Sequence, residues 1–84
     1  MNSSTTSRFR KLFEDLPEQI QRVAREKYAL WKEDSRHPSL HFKQIGNLWS
    51  VRVTRNYRAL AIFREDTFVW FWIGTHAEYD ELLK

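Results

Sequence analysis

The chain has 84 residues, a formal charge of +3 and no cysteine, and it carries six Phe, four Trp and three Tyr. A domain of this size buries only roughly 60% of the surface its unfolded chain exposes. Disulfides and thiolate zinc sites are excluded as supports, so the aromatic side chains must supply much of the core. No window approaches the ~18 apolar residues of a membrane span. The start MNSSTTSRFRK lacks the apolar segment of a signal peptide, and a cytoplasmic protein is expected.

Residues 1–6, MNSSTT, read as a disordered lead-in, followed by a single domain over 7–84. Phe9, Leu12, Phe13, Leu16, Ile20, Val23, Ala24, Tyr28 and Trp31 then recur three or four apart, the stripe of an amphipathic helix. Pro17 interrupts the stripe and suits a helix start, so a short helix is predicted near 7–15 and a longer one near 17–33. Glu18 at one end and Arg25, Lys27 and Lys32 towards the other complement the helix dipole. Residues 34–39 read as a loop.

From Leu40 the pattern changes to strands: LHFKQI, LWSVRVT, YRALAIFR and TFVWFWI. Gly46-Asn47, Arg55-Asn56 and Glu65-Asp66 separate them, and connections this short make neighbours antiparallel. Trp49, Val51 and Val53 fall on one face of the second strand, and Ser50, Arg52 and Thr54 on the other. TFVWFWI is apolar on both faces, as in a strand covered on both sides. Gly74 is read as the turning point after it, and Thr75 with Glu78 three residues on as the capping box of a last helix. The expected fold is α+β: an N-terminal helical hairpin on one face of a four-stranded antiparallel sheet, with a short C-terminal helix.

Charge is unevenly distributed. Between Ser35 and Arg64 there is no acid, while Arg36, Lys43, Arg52, Arg55, Arg58 and Arg64 all lie there. Such a block is a candidate polyanion surface. His37, His41 and His76 have no C-x-x-C or H-E-x-x-H context, so no metal site is expected.

In this order, LPEQIQRVAREKYALW, HPSLHFKQI, WSVRVTRNYRAL and WFWIGTHAEYDEL resemble the RelE/ParE toxin superfamily of bacterial toxin–antitoxin modules. The resemblance runs from Phe9 to Leu83 and is most specific in SVRV…NYRAL and WIGTHAEYD. It implies a compact toxin with a cognate antitoxin as partner and no cofactor. On the RelE-like branch it implies a metal-independent endoribonuclease that cuts messenger RNA, commonly on the ribosome. On the ParE-like branch it implies an inhibitor of DNA gyrase that lacks the nuclease residues. A degenerate toxin that only binds its antitoxin is a further reading.

The resemblance also places residues. Arg52 in SVRV and Arg58 in NYRAL fall on its basic strand positions, and Tyr79 on its C-terminal aromatic. The chain departs from RelE itself, which has two lysines where Ser50 and Arg52 stand and an arginine in the region of His76. A C-terminal histidine matches relatives that use an imidazole in the site. Metal-free RNA cleavage needs a base for the 2′-hydroxyl, cations for the phosphorane and a proton for the 5′-oxygen. Histidine as a residue type suits that work near neutral pH, and His76 is the acid/base candidate. Arg52 and Arg58 would clamp the phosphate, Tyr79 would stack a base or orient the 2′-hydroxyl, and Lys43 and Arg55 would add RNA contacts. Asp80 is expected to be solvated or paired with a basic residue, and His37 and His41 to take no catalytic part.

Overall fold

A computed structural model describes residues 2–84. In chain order it contains β1 (Asn2–Thr5), α1 (Ser7–Glu14), α2 (Glu18–Glu33), a 3₁₀ turn (Pro38–Leu40), β2 (Lys43–Ile45), β3 (Leu48–Thr54), β4 (Tyr57–Arg64), β5 (Thr67–Thr75) and α3 (His76–Leu82). The strands form one sheet in the order β1-β5-β4-β3-β2. No helix among the described residues is long and apolar enough to cross a membrane.

The sheet is five-stranded and mixed, where four antiparallel strands were expected. Residues 2–5 are not a disordered lead-in: they pair parallel to β5, with Asn2 opposite Thr67 and Thr5 opposite Trp70. The Thr6 amide continues the pairing by donating to the Trp70 carbonyl at 3.0 Å. The physical reason lies in β5. Without β1 its apolar length would stand at the sheet edge with a row of unpaired backbone groups. The strand expected over LHFKQI is shorter than read: Pro38 starts a 3₁₀ turn that buries Leu40, and His41 turns left-handed at φ 46°, so only Lys43–Ile45 pairs.

Thr6 caps α1 by accepting from the Phe9 amide at 3.1 Å. Pro17 immediately precedes α2. Both helices lay the predicted stripe on one face of the sheet, built from Val51, Val53, Ala59, Phe68, Trp70 and Ile73. Trp31, 1% exposed, is the centre of this core. Its ring meets Phe42, Phe68 and Trp70 edge-on at 5.7, 5.4 and 5.3 Å and stacks with Tyr28 at 6.0 Å. The helices do not close completely over the sheet. A groove of about 370 Å³ remains, lined by apolar side chains including Phe9, Phe13, Tyr28, Trp31, Val51 and Trp70.

A bulge in β5 redirects its side chains. Leu60 lies opposite Trp72 and Ala61 opposite Trp70, so Phe71 is the extra residue. Phe68 and Trp70 point to the helical core before the bulge and Ile73 after it, while Trp72 joins Leu60 and Tyr79 in a second cluster. This device lets one strand serve both faces.

Two positions flanking or within β5 make predictions. Glu65 and Asp66 both have positive φ, 50° and 64°, in the two-residue loop between β4 and β5. Left-handed backbone costs an ordinary L-residue about 1–2 kcal/mol, and Asn-Gly suits this loop geometry. Replacing Glu65-Asp66 with Asn-Gly is expected to stabilise the protein by about 1 kcal/mol, seen as a rise in Tm of about 4–8 °C.

Gly74, expected as a turn, remains within β5 and has no left-handed φ. Its role is space. A Cβ there would sit 2.6 Å from Trp72 Cζ2 and 2.8 Å from Glu78 Oε1. Gly74→Ala is expected to destabilise by about 1–3 kcal/mol through overpacking, measured by denaturant unfolding.

A candidate nucleic-acid site on the second sheet face

The face away from α1 and α2 is ordered in rows across the strands. One row reads Lys43, Ser50, Leu60, Trp72 across β2 to β5; the next reads Arg52, Arg58, Gly74 across β3 to β5. Arg52 and Arg58 are therefore direct cross-strand partners. Directly opposite residues hold their Cβ atoms about 4.5–5.5 Å apart, and like charges there repel. Neither guanidinium is in a salt bridge among the described residues. Gly74 adds no side chain at the end of the arginine row, where the Trp72 ring and the Glu78 carboxylate lie instead.

Arg58 is partly used by the fold. Its Nη1 donates to the carbonyls of Thr54, Arg55 and Tyr57 at 2.6, 3.2 and 3.1 Å, fastening the turn between β3 and β4. Nη1 has only two of the five guanidinium N–H groups. Among the described residues, the remaining donors on Nε and Nη2, and those of the Arg52 guanidinium, have no protein partner. Burial, and after it the Arg52 charge, lowers the Arg58 pKa, while Tyr79 and Asp80 raise it. The two arginines and the start of α3 thus form one electrostatic neighbourhood.

The last helix is set on the sheet by its own caps. Thr75 accepts from the Glu78 amide at 3.2 Å, and Glu78 Oε1 accepts from the Thr75 amide at 2.9 Å, completing the predicted capping box. The backbone bond first and the Thr75 hydroxyl second hold the Glu78 carboxyl below its usual value. Because the folded pKa is the lower one, this stabilisation is complete above the unfolded value and is lost as pH falls through the folded value.

His76 follows directly. Its backbone N–H donates to the Asn56 carbonyl at 2.7 Å, tying the helix start to the turn that Arg58 fastens. The imidazole is half-exposed, and its Nδ1 lies 3.1 Å from Asp80 Oδ2.

Tyr79 is placed differently from expectation. It is 7% exposed, packs with Leu60 and Trp72, and its hydroxyl donates to Ser50 Oγ at 2.9 Å. A ring so covered does not stack a base; it pins α3 to the sheet and meets the His76 ring edge-on at 5.7 Å. The apolar row Leu60–Trp72 attracts it, and Ser50 satisfies its hydroxyl. Ser50, 2% exposed, is the residue that sequence reasoning missed. Its alternation with Arg52 reads as solvent-facing, and nothing local shows that a helix will cover one and leave the other.

The structure therefore brings Arg52, Arg58 and His76 together, with Tyr79 beneath them. Lys43 is exposed on the same face but one row away, on the edge strand, and Arg55 is exposed in the turn. His37 lies apart, accepting from the Ser39 amide in the loop after α2.

Comparison with known proteins gives this arrangement a family. Residues 18–81 match the ParE-like toxin domain. Among curated proteins none matches. Among solved structures, a chain of the RelB–RelE antitoxin–toxin complex from Methanococcus jannaschii superposes with TM-score 0.73 at 15% identity, covering 95% of this chain and 98% of that one. The YoeB/ParE toxin from Agrobacterium tumefaciens gives 0.70 at 12% identity, covering 90% and 99%. The isolated E. coli RelE toxin gives 0.66 at 11% identity, covering 96% and 94%. At these identities the superpositions carry the fold, and the domain match carries the family. The chain belongs to the ParE-like toxin domain family, within the RelE/ParE toxin superfamily.

Proposed function

We propose that this toxin is a metal-independent endoribonuclease acting on messenger RNA in the cytoplasm, on the ribosome or off it. The observation that carries the reading is the direct opposition of Arg52 and Arg58 on the open sheet face, with His76 anchored to the adjoining turn. Two like charges held face to face are unfavourable alone and favourable around a shared anion. A scissile phosphate is such an anion, and guanidinium binds it bidentately.

In the reaction, the 2′-oxygen attacks phosphorus and forms a new O–P bond as His76 takes its proton. The arginines neutralise the charge that develops on the phosphoryl oxygens. The bond from phosphorus to the 5′-oxygen breaks, and that oxygen takes a proton from solvent. The products end in a 2′,3′-cyclic phosphate and a 5′-hydroxyl. General-base assistance contributes roughly 10²–10⁴-fold. Lys43 and Arg55 contact neighbouring phosphates.

The partner in this reading is a cognate antitoxin. The M. jannaschii relative is a RelB–RelE complex. Here the apolar groove between α1 and α2, with Arg10, Arg25 and Lys27 among its lining residues, suits an amphipathic segment with acidic flanks.

The test is induction of the chain in a bacterial host with transcripts mapped at their 5′ ends. New ends are expected with the wild type and are lost in His76→Ala and Arg52→Ala, both still folded. The ParE-like description of the domain match favours a second reading, inhibition of DNA gyrase. It predicts growth arrest with broken chromosomes and intact transcripts. No effect on growth would leave a toxin that only binds its antitoxin.

A further inference from the structure

His76 is held from three directions. Its amide is bonded to Asn56, its ring rests edge-on against the pinned Tyr79, and its Nδ1 faces Asp80 one helical turn away. The other acids of α3 are committed elsewhere. Glu78 Oε1 closes the capping box, and Glu81 pairs with Lys84 at 3.1 Å. Asp80 alone among them faces the imidazole.

An ionised carboxylate can only accept hydrogen bonds, so its contact with Nδ1 requires a proton on that nitrogen. In a neutral imidazole this leaves Nε2 as the bare acceptor. We propose that Asp80 is a positioning residue that holds neutral His76 in the Nδ1–H tautomer and so presents Nε2 to the ribose 2′-hydroxyl. This rests on the nuclease reading above. It assigns Asp80 a part in proton transfer without contact to RNA. Exposed ion pairs at this helical spacing contribute little to stability, so Asp80 can be replaced with the fold retained.

The experiment is ¹⁵N NMR of the full-length chain, at a pH where the ring is neutral, on wild type, Asp80→Ala and Asp80→Asn. It is run beside kcat and KM for cleavage of a defined messenger RNA. The wild type is expected to show Nδ1–H and Asp80→Ala to shift towards Nε2–H. Asp80→Asn, whose amide oxygen still accepts, is expected to keep Nδ1–H. In Asp80→Ala, kcat should fall about tenfold with KM little changed, well short of the roughly 10⁴-fold seen when a buried triad carboxylate is neutralised. In a His76→Ala background, Asp80→Ala should cause no further loss. Wild-type cleavage with an Nε2–H tautomer, or an unchanged kcat in Asp80→Ala, overturns the role of Asp80 and leaves the nuclease reading standing. An Nδ1–H tautomer in a wild type that cuts no RNA removes the nuclease reading and this inference with it.

Discussion

Trp31→Ala is expected to cost about 3–5 kcal/mol, the range for truncating a large aromatic in a core. Domains are stable by only about 5–15 kcal/mol, and a small one lies towards the lower end. The variant should therefore be largely unfolded at 37 °C. Four aromatic rings contact Trp31, and it joins α2 to both β5 and Phe42, so the loss cannot be confined to one element. Trp31→Phe is the informative contrast. The Trp31 Nε1 is buried without a hydrogen-bond partner among the described residues, so a ring lacking that N–H gives up no bond. Its cost should be clearly smaller than that of alanine. Denaturant unfolding of both variants checks the order, and equal losses would contradict the assigned role of ring packing.

Arg52→Ala and Arg58→Ala are expected to lower RNA cleavage by about 10²–10³ each, the usual loss when one electrostatic contact to the transition state is removed. Their effects on stability should diverge. The Arg52 side chain makes no hydrogen bond or salt bridge within the described residues and stands opposite a like charge, so its loss should leave stability unchanged or slightly raised. Arg58 also fastens the β3–β4 turn, so its loss should cost about 1 kcal/mol. A residue whose removal leaves stability intact while activity falls this far is there for function. Cleavage rates and unfolding curves on the same two preparations separate these effects. Arg58→Lys, which keeps charge but not the planar fork, should recover only part of the rate.

Much of this architecture is legible in the residues. The three- and four-residue spacing from Phe9 to Trp31 specifies the helical face. The alternation in LWSVRVT orients β3, and the short connectors make β2 to β5 a meander. Thr75 and Glu78 announce the last helix correctly. Features that depend on distant partners are not legible. β1 looks like polar lead-in because its reason for pairing is the open edge of β5, more than sixty residues later. The bulge at Phe71 leaves no mark in an all-apolar strand. Gly74 resembles a turn signal, whereas the Trp72 ring is what requires its lack of a side chain.

The candidate site divides in the same way. Arg52 and Arg58 are readable as basic strand positions, but their direct opposition is not: a two-residue turn in plain register sets Val53 opposite Arg58, and the irregularity between Arg52 and Thr54 puts Arg52 there instead. The surroundings of Tyr79 are not legible because they are the sheet face that α3 covers, and Ser50 is missed for the same reason. The covered tyrosine makes the His76 position firm, a function that sequence spacing does not convey.

The most direct measurement incubates purified toxin with messenger RNA, alone and with ribosomes, in excess EDTA, and identifies the chemical ends produced. The arginine pair with His76 predicts cleavage that persists in the chelator and leaves 5′-hydroxyl and 2′,3′-cyclic phosphate ends, absent with His76→Ala. Cleavage abolished by EDTA, 5′-phosphate products, or undiminished cleavage by His76→Ala would contradict it.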